Sequence, residues 1–493
     1  MAAKAKGMVF TNISAFSFVA DKTLPQRGVY QQLKLSTSIL AELMTQRPDA
    51  IQVIFPLGNN KTITCDLVKF SLGNIKFTEN NTGIIDNPKI PVTYRGIVAG
   101  EQNKNIVTLT VNEDYLSLVA AMSDKVIQIT KADEKNKIDY RLYNSSKVQF
   151  PSQAFDCGTK EKPASQSELG IDLTGGSTPT AVQDKCVNVF VDCSDSMFQW
   201  RSSNRQQVIN YVYELFNSIA TGYFNDSVNV QITTINVWTT ASPFVAGTRE
   251  TALAQLSAYW KDNFFGNICV GLDYGTNGRS GIAGGIGRIK ATSTNTCPAY
   301  NYSGTDSLSA CCYNDMNYNV SVQNFPTGPN TTQQQVYLTM HEIGHLLGAH
   351  HTKWCGWKLT SNPDTYGTID SCGKIEGSCV QGPPPPLNGA TIMSYCVKGN
   401  TPNNFVGYYN GFGRLPGNAI RNFIDQSACI LLCTSCFGFI NNAADGKAYA
   451  YHKNTGPVFI NENVTEEDNS NIPFQKKQHN RGELLITSKK IKQ

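Results

Sequence analysis

The sequence predicts two folded parts, a β-rich N-terminal part and then an α/β (α+β) part built on a mixed, mostly parallel sheet. Three observations carry that prediction. Apolar and alternating runs at 51–55, 63–70, 106–111 and 125–129 are separated by Asn and Gly turns, as strands are. From Cys186 onward, strand-like runs alternate with runs of helical period, which implies parallel strands joined by helical crossovers. Between the two, 161–184 is rich in Ser, Thr, Gly and Gln and reads as an exposed linker.

Composition bounds the function classes. With 493 residues the chain has room for two to four domains, and 40% hydrophobic with 16% charged residues is ordinary for a globular protein. The net charge of +4 is small for this length, so charge points neither to nucleic acid nor to an acidic membrane surface. No stretch approaches the roughly 20 apolar residues of a membrane span. Fifteen cysteines, thirteen of them between 186 and 436, read as an oxidising, secreted or cell-surface setting. The N-terminus begins with basic residues, Lys4 and Lys6, but the next stretch, Gly7 to Lys22, is broken by Thr, Asn and Ser, so no clear signal peptide is seen.

The first part, 1–160, has no catalytic cluster of its own; on its residues alone a carbohydrate- or protein-binding β domain stays open. The second part, 185–436, opens with the continuous apolar strand Val187 to Asp192. Val208, Val212, Leu215, Phe216 and Ile219 then recur at helical spacing within 203–222. A strand at 228–238, a helix near 251–260 and a strand at 268–274 come next. Gly281 to Gly287 departs from GxGxxG and reads as a glycine-rich loop beside a cleft, not a nucleotide loop. Asp192-Cys193-Ser194-Asp195-Ser196 matches the DxSxS pattern of a von Willebrand A-type adhesion site, where carboxylate and hydroxyls hold Mg²⁺. The competing reading is a strand ending in a polar turn that caps the next segment.

The chemistry lies in 332–351. His341 and His345 are four apart, so on a helix they project from one face, as two imidazoles sharing a metal must. Glu342 stands between them, placed to hold a water on that metal. Gly348 turns the chain through a left-handed conformation so that His351 returns as a third nitrogen ligand. Three neutral imidazoles leave a fourth position open, which suits a catalytic and not a structural Zn²⁺. Four of the six His lie between 341 and 351, and His350 is expected in a supporting or exposed role.

After His351 the chain becomes loop-like, with Cys355, Cys372, Cys379 and Cys396 and the run Pro383 to Pro386; so small a lobe needs disulfides to hold it. Cys433-x-x-Cys436 has zinc-finger spacing but no matching second pair. The extension 437–493 is polar and basic at its end, and reads as solvated and disordered.

The string His341 to His351, HExxHxxGxxH, resembles the signature of the metzincin metalloproteases, and the Cys-rich lobe is similar to secreted, bacterial-type reprolysin/adamalysin-like proteases. The resemblance implies a Met-turn, supplied by Met393 within Ala390 to Cys396, 42 residues after His351. It implies an antiparallel edge strand along which an extended polypeptide substrate lies, and Asp315 to Val322 is strand-like enough to be it. In some metzincins a Tyr two positions after the Met reaches the zinc or the transition state, and Tyr395 occupies that place. Tyr94 to Gly100 is similar to reprolysin-type propeptides, and Cys157-Gly158 resembles a cysteine switch, in which a propeptide thiolate fills the open metal position, though the usual preceding Pro-Lys is missing. The Asp that usually follows the third His is Thr352 here. These likenesses imply a secreted zinc endopeptidase made as a latent proenzyme, inhibited by its own propeptide, with Glu342 as general base and proton donor, and with maturation between Cys157 and Cys186. The alternative is a catalytically inactive relative or an adhesion module. A structural Ca²⁺ is allowed for but has no ligand motif.

Overall fold

A computed structural model describes residues 9–19, 30–58, 61–101, 105–122, 125–132, 138–144, 157–159, 161, 185–244, 247–261, 263–275, 281–290, 309–317, 333–361, 364–385, 389–396, 410–433, 437–442, 447–452 and 456–458. In chain order the N-terminal strands are β1 (Thr11–Ile13), β2 (Phe16–Phe18), β3 (Tyr30–Leu35), β4 (Ala50–Gly58), β5 (Lys61–Phe70), β6 (Lys76–Glu79), β7 (Gly83–Ile84), β8 (Val92–Val98), β9 (Ile106–Val111), β10 (Leu116–Ala121), β11 (Val126–Lys131) and β12 (Asp139–Asn144), with one helix, α1 (Thr37–Gln46).

Ten of these strands form one sheet in the order β1-β4-β5-β8-β9-β10-β11-β12-β3-β2. Pairing is antiparallel except between β1 and β4. The two end strands, β1 and β2, are joined by only Ser14 and Ala15, so the sheet must curl until its ends meet. Its concave face is a core of Phe55, Leu67, Leu109, Leu118 and Ile129, with Phe16 set edge-on to Tyr140.

The second sheet has β13 (Cys186–Cys193), β14 (Asn229–Val237), β15 (Ile268–Asp273), β16 (Gly281–Ala283) and β17 (Cys311–Asp315), and it also takes β6 and β7 from the N-terminal part. Its order is β16-β17-β15-β13-β14-β6-β7. β13 pairs in parallel with β14 and β15, β17 in parallel with β15, and β6 in parallel with β14; the outer strands β16 and β7 run antiparallel to their neighbours. The edge is therefore not where the sequence suggests. Of the described residues 315–317, only Asp315 lies in a strand, and that strand is interior and parallel to β15; 318–322 lie outside the described residues. The apolar run starts earlier, at Cys311, and every residue of β17 is buried, as an interior strand requires. The antiparallel edge is Gly281–Ala283, within the glycine-rich stretch expected to be loop.

The helices of this part are α2 (Asp195–Trp200), α3 (Arg205–Asn225), α4 (Arg249–Trp260), α5 (Gln333–Leu346) and α6 (Arg414–Gln426). α3 starts at Asn204, whose side chain accepts from the N–H groups of Gln206 and Gln207, and α4 starts at Thr248, which accepts from Thr251. One face of α3 presents Val208, Val212, Leu215, Phe216 and Ile219 to the sheet, each fully buried and worth about 1.5–3 kcal/mol for burial. The other face is polar yet also buried, under the N-terminal sheet. Asn217 Nδ2 donates to Leu109 O (3.0 Å) and Thr110 Oγ1 (2.8 Å), and Ser218 meets Thr108 (3.2 Å). Glu214 accepts from Ser117 (2.7 Å) and Tyr115 (3.1 Å). β9 alternates accordingly: Val107, Leu109 and Val111 face the core, while Thr108 and Thr110 face the helix. Nearby, Arg95 lies over the rings of Phe70 (4.5 Å) and Phe224 (4.1 Å).

Past α5, the hairpin of β18 (Trp357–Ser361) and β19 (Asp364–Gly367) lies in a lobe held by Cys355–Cys379 and Cys372–Cys396, while Cys186–Cys433 ties the first strand of the second sheet to the chain after α6. Cys433 is thus a disulfide partner and not a finger ligand; Cys436 lies outside the described residues. In the extension, β20 (Phe437–Asn442), β21 (Lys447–His452) and β22 (Gly456–Val458) make an antiparallel sheet, and the remaining residues lie outside the described ones. Two segments that alternate residue types can pair locally whatever their overall polarity. No helix among the described residues is long and apolar enough to cross a membrane.

Candidate metal centre

α5 puts His341 and His345 one turn apart on one face, and both are fully buried. The helix ends where Gly348 takes a φ of +98°, with its N–H on His345 O (2.9 Å), and the returning chain brings in His351. The glycine stretch seals the same helix end, because the N–H groups of Gly287 and Arg288 donate to His345 O and Leu346 O (both 2.8 Å).

Each imidazole is held from behind. His341 Nδ1 lies 2.8 Å from Ile392 O, His345 Nδ1 lies 2.8 Å from Ala349 O, and His351 Nδ1 lies 3.0 Å from a carboxylate oxygen of Glu376. A carbonyl only accepts, so the Nδ1 atoms of His341 and His345 carry the hydrogens, and Nε2 of each is left as a lone pair. These lone pairs converge: His345 Nε2 is 3.1 Å from His341 Nε2 and 3.0 Å from His351 Nε2. Acceptors at that spacing repel unless a cation lies between them. Burial, and for His341 and His351 also the neighbouring imidazoles, hold these groups far below their ordinary pKa, His345 at about 3, so all three are the neutral ligands a metal takes. The donor set therefore fits a metal ion.

Around this cluster the expected residues assemble. Glu342 is fully buried, and burial raises its carboxyl to about 8 despite donors at one oxygen. Its Oε1 has no hydrogen-bond partner among the described residues; the nearby Ala283 N–H donates to Thr159 Oγ1 (2.9 Å). Gly281 on the edge strand is obligatory here, since a Cβ would come within 2.6 Å of Glu342 Cγ. Met393 is fully buried beneath α5, and Gly344 makes room for it: a Cβ there would meet Phe412 at 2.7 Å and Met393 Sδ at 2.9 Å. Thr352 donates its N–H to Met393 O (3.0 Å), and Tyr337 donates its hydroxyl to Ser394 O, so the turn is pinned without an Asp after the third His. Tyr395 OH lies 3.3 Å from His351 Nε2, with its ring edge-on to that imidazole.

Cys157 reaches the same point from the N-terminal part. Its Sγ is 3.6 Å from His345 Nε2 and 3.4 Å from Glu342 Oε2, and the ligand atoms of Cys157, His341, His345 and His351 all lie within 4.8 Å of one another. The segment lies along β16: Gly158 N–H donates to Gly281 O (3.0 Å) and Thr159 meets Ala283, so it advances in the same direction as the edge strand. Gly158 has no room for a side chain, because a Cβ would lie 2.5 Å from Arg249 Nε.

Four residues escape sequence reasoning. Thr159 and Glu161 flank Cys157 and are signalled only by that proximity. Glu376 has no signal, being carried in by the Cys355–Cys379 loop. Arg249 stands just ahead of the helix expected near 251–260, with nothing to mark it. His350 is expected in a supporting or exposed role; it is buried, stacked on Trp354 (3.7 Å between ring centres, 8° between planes), with Nδ1 2.7 Å from Glu161 Oε2. Asp192 is not available to a cation: Oδ1 accepts from Asn236 Nδ2 and Trp238 Nε1 (both 2.8 Å) and Oδ2 from Trp260 Nε1 (2.6 Å). Ser194 and Ser196 turn instead to Asp273, and Ser194 caps α2.

Residues 183–405 match the family model Reprolysin_5, Metallo-peptidase family M12. Among solved structures the chain is similar to metalloproteinase-II from Bacteroides fragilis, at 12% identity over 64% of this chain and 85% of that one, with a TM-score of 0.37. It is also similar to a structure of a chaperone–substrate complex, at 12% identity over 50% of this chain and 35% of that one, with a TM-score of 0.25.

Proposed function

From a span at 183–405 that is of the reprolysin/metzincin metallopeptidase type, we propose that this chain is a secreted zinc endopeptidase, held latent by its own N-terminal part, that cleaves extended polypeptides. The observation that carries the reading is the convergence of three neutral Nε2 lone pairs beside a buried Glu342 and a thiol from a distant segment. His341, His345 and His351 would hold the metal. When bound, zinc supplies a Lewis acid for the scissile carbonyl and makes a water acidic enough to lose its proton near neutral pH.

The chain's own residues do the rest. Glu342 accepts that water's proton on its carboxylate and then donates it to the leaving amine. Gly281 O and Ala283 N–H, now facing Gly158 and Thr159, bind the peptide backbone as an added strand. Tyr395 OH, beside His351, is placed to donate to the oxygen on which charge develops. Met393 supports the histidines from below. In the uncut chain Cys157 would be the fourth residue to hold the metal, and release would follow a cut in the linker, expected at 161–184. Residues 1–160 act as the propeptide and 185–436 as the catalytic part. Secretion is supported by the disulfides at 186–433, 355–379 and 372–396.

The test is metal content and peptide cleavage on the full chain, before and after limited proteolysis in the linker. About one zinc per chain, with cleavage appearing only after the cut, is expected. Zinc with no cleavage in either state would move the reading to an inactive, adhesive relative, and absence of zinc would undo it.

A further inference from the structure

Four positions beyond Cys157, the carboxylate of Glu161 sits in a niche that the second part of the chain builds by itself. Its side chain is fully buried, with Oε2 2.7 Å from His350 Nδ1, while Oε1 accepts the backbone N–H of His351 and lies 3.1 Å from His351 Nδ1. Three nitrogens thus converge on two oxygens. The niche is rigid without Glu161: His350 is stacked on Trp354, Trp354 is edge-on to Trp357, and Trp357 Nε1 donates to His351 O (2.8 Å). Glu376 also faces His351 Nδ1, but its charge is matched by Lys353 Nζ at 3.1 Å, and Lys353 lies over the Tyr395 ring. Burial and the Glu376 carboxylate raise the Glu161 carboxyl well above its ordinary value, and the His351 N–H and Lys353 work against them.

We propose that this niche is a carboxylate subsite of the cleft, filled by Glu161 in the uncut chain and by an acidic side chain of the peptide substrate afterwards. The inference rests on the peptidase reading and adds a substrate class to it. Both oxygens of a carboxylate can accept from the converging nitrogens, whereas an amide must turn an NH₂ group towards one of them. Sites built this way discriminate by rejecting the isostere. Glu161 therefore serves as a template for what the cleft selects, as Gly158 is for what it excludes.

Two measurements on the full chain test this. In chelator, the rate at which iodoacetamide labels Cys157, read by mass spectrometry of its peptide, is expected to rise about tenfold or more in Glu161→Gln, because the niche releases an amide faster. After the linker is cut, peptide pairs differing only by Glu or Gln at each position around the scissile bond are compared by kcat/KM. One position is expected to favour Glu by about tenfold, and the ratio to collapse in His350→Ala. Equal labelling of wild type and Glu161→Gln would overturn the niche's preference for a carboxylate. Cleavage with no Glu preference at any position would overturn the substrate role while leaving the peptidase reading intact. Failure to cleave any peptide would bring down both, and is recognised because the labelling difference does not depend on catalysis.

Discussion

Cys157 Sγ lies 3.4 Å from Glu342 Oε2, across 185 positions of sequence, so the thiol that would block the centre touches the carboxylate that would act there. The two share one small volume, and only one state of the chain can leave Glu342 free to meet a water. On the proposed reading, latency and catalysis would exclude each other for a steric reason.

Removing the thiol is the direct check. Cys157→Ala is expected to give an uncut chain with measurable peptide cleavage, because a segment held only through Gly158, Thr159 and Glu161 can leave the edge strand to a substrate without giving up a metal ligand. Cleavage assays of intact protein, with gels run alongside to show that the linker is uncut, decide it. An uncut variant as silent as the wild type would mean that the segment blocks by bulk alone.

Glu342→Gln keeps the shape and removes the base. Activity of the cut chain is expected to fall by about 10²–10⁴-fold, with metal content unchanged, since Glu342 is not one of the ligands. Cleavage at the original rate would remove Glu342 from the mechanism.

Glu376 orients His351 from behind, so Glu376→Ala is expected to weaken metal affinity by about 10–100-fold. Competition with a chromogenic chelator measures this without any substrate. Unchanged affinity would leave Glu376 with a role in the loop only.

Gly344→Ala forces a methyl against Phe412 and Met393 Sδ. Overpacking of this kind costs about 1–3 kcal/mol, which a thermal melt of the full chain reads directly. A stability equal to wild type would show that the Met-turn can retreat from the helix.

Asp192 gives a pH signature. Burial raises its carboxyl from 3.8 to about 6, so its favourable contribution is complete below 3.8 and is lost as pH rises through about 6. The loss is about 3 kcal/mol at most, at about 1.4 kcal/mol for each tenfold change in the acid's ionisation constant. Denaturation midpoints from pH 3.5 to 7, wild type against Asp192→Asn, are expected to show a pH-dependent difference confined to that window. A difference that appears only on adding Mg²⁺ would instead revive the adhesion-type reading.

The meeting of the three histidines was legible because it is local geometry: an i, i+4 pair, a glycine that can turn left, and a third His three residues on. The strands of the first part were legible from alternation, but their closure was not, since it depends on β1 and β2 finding opposite ends of one sheet. The edge strand was misplaced because Gly281–Ala283 looks like a loop by composition, and its strand character comes from β17 beside it and from Glu342 needing a close neighbour without a side chain. Glu376 carried no signal, and Glu161 only its nearness to Cys157, for a related reason. Each is an ordinary exposed-type residue whose burial is decided by where a disulfide loop or a distant segment comes to rest.

The polar face of α3 has one more consequence. Glu214, Asn217 and Ser218 meet the N-terminal sheet through hydrogen bonds rather than through Leu and Val. Groups of that kind exchange a protein partner for water at little net cost. Were this cover lifted, the helix face would be left wet, and the greasy seam would be confined to where Phe70, Leu72, Val119, Ala121 and Val126 join the second part's core.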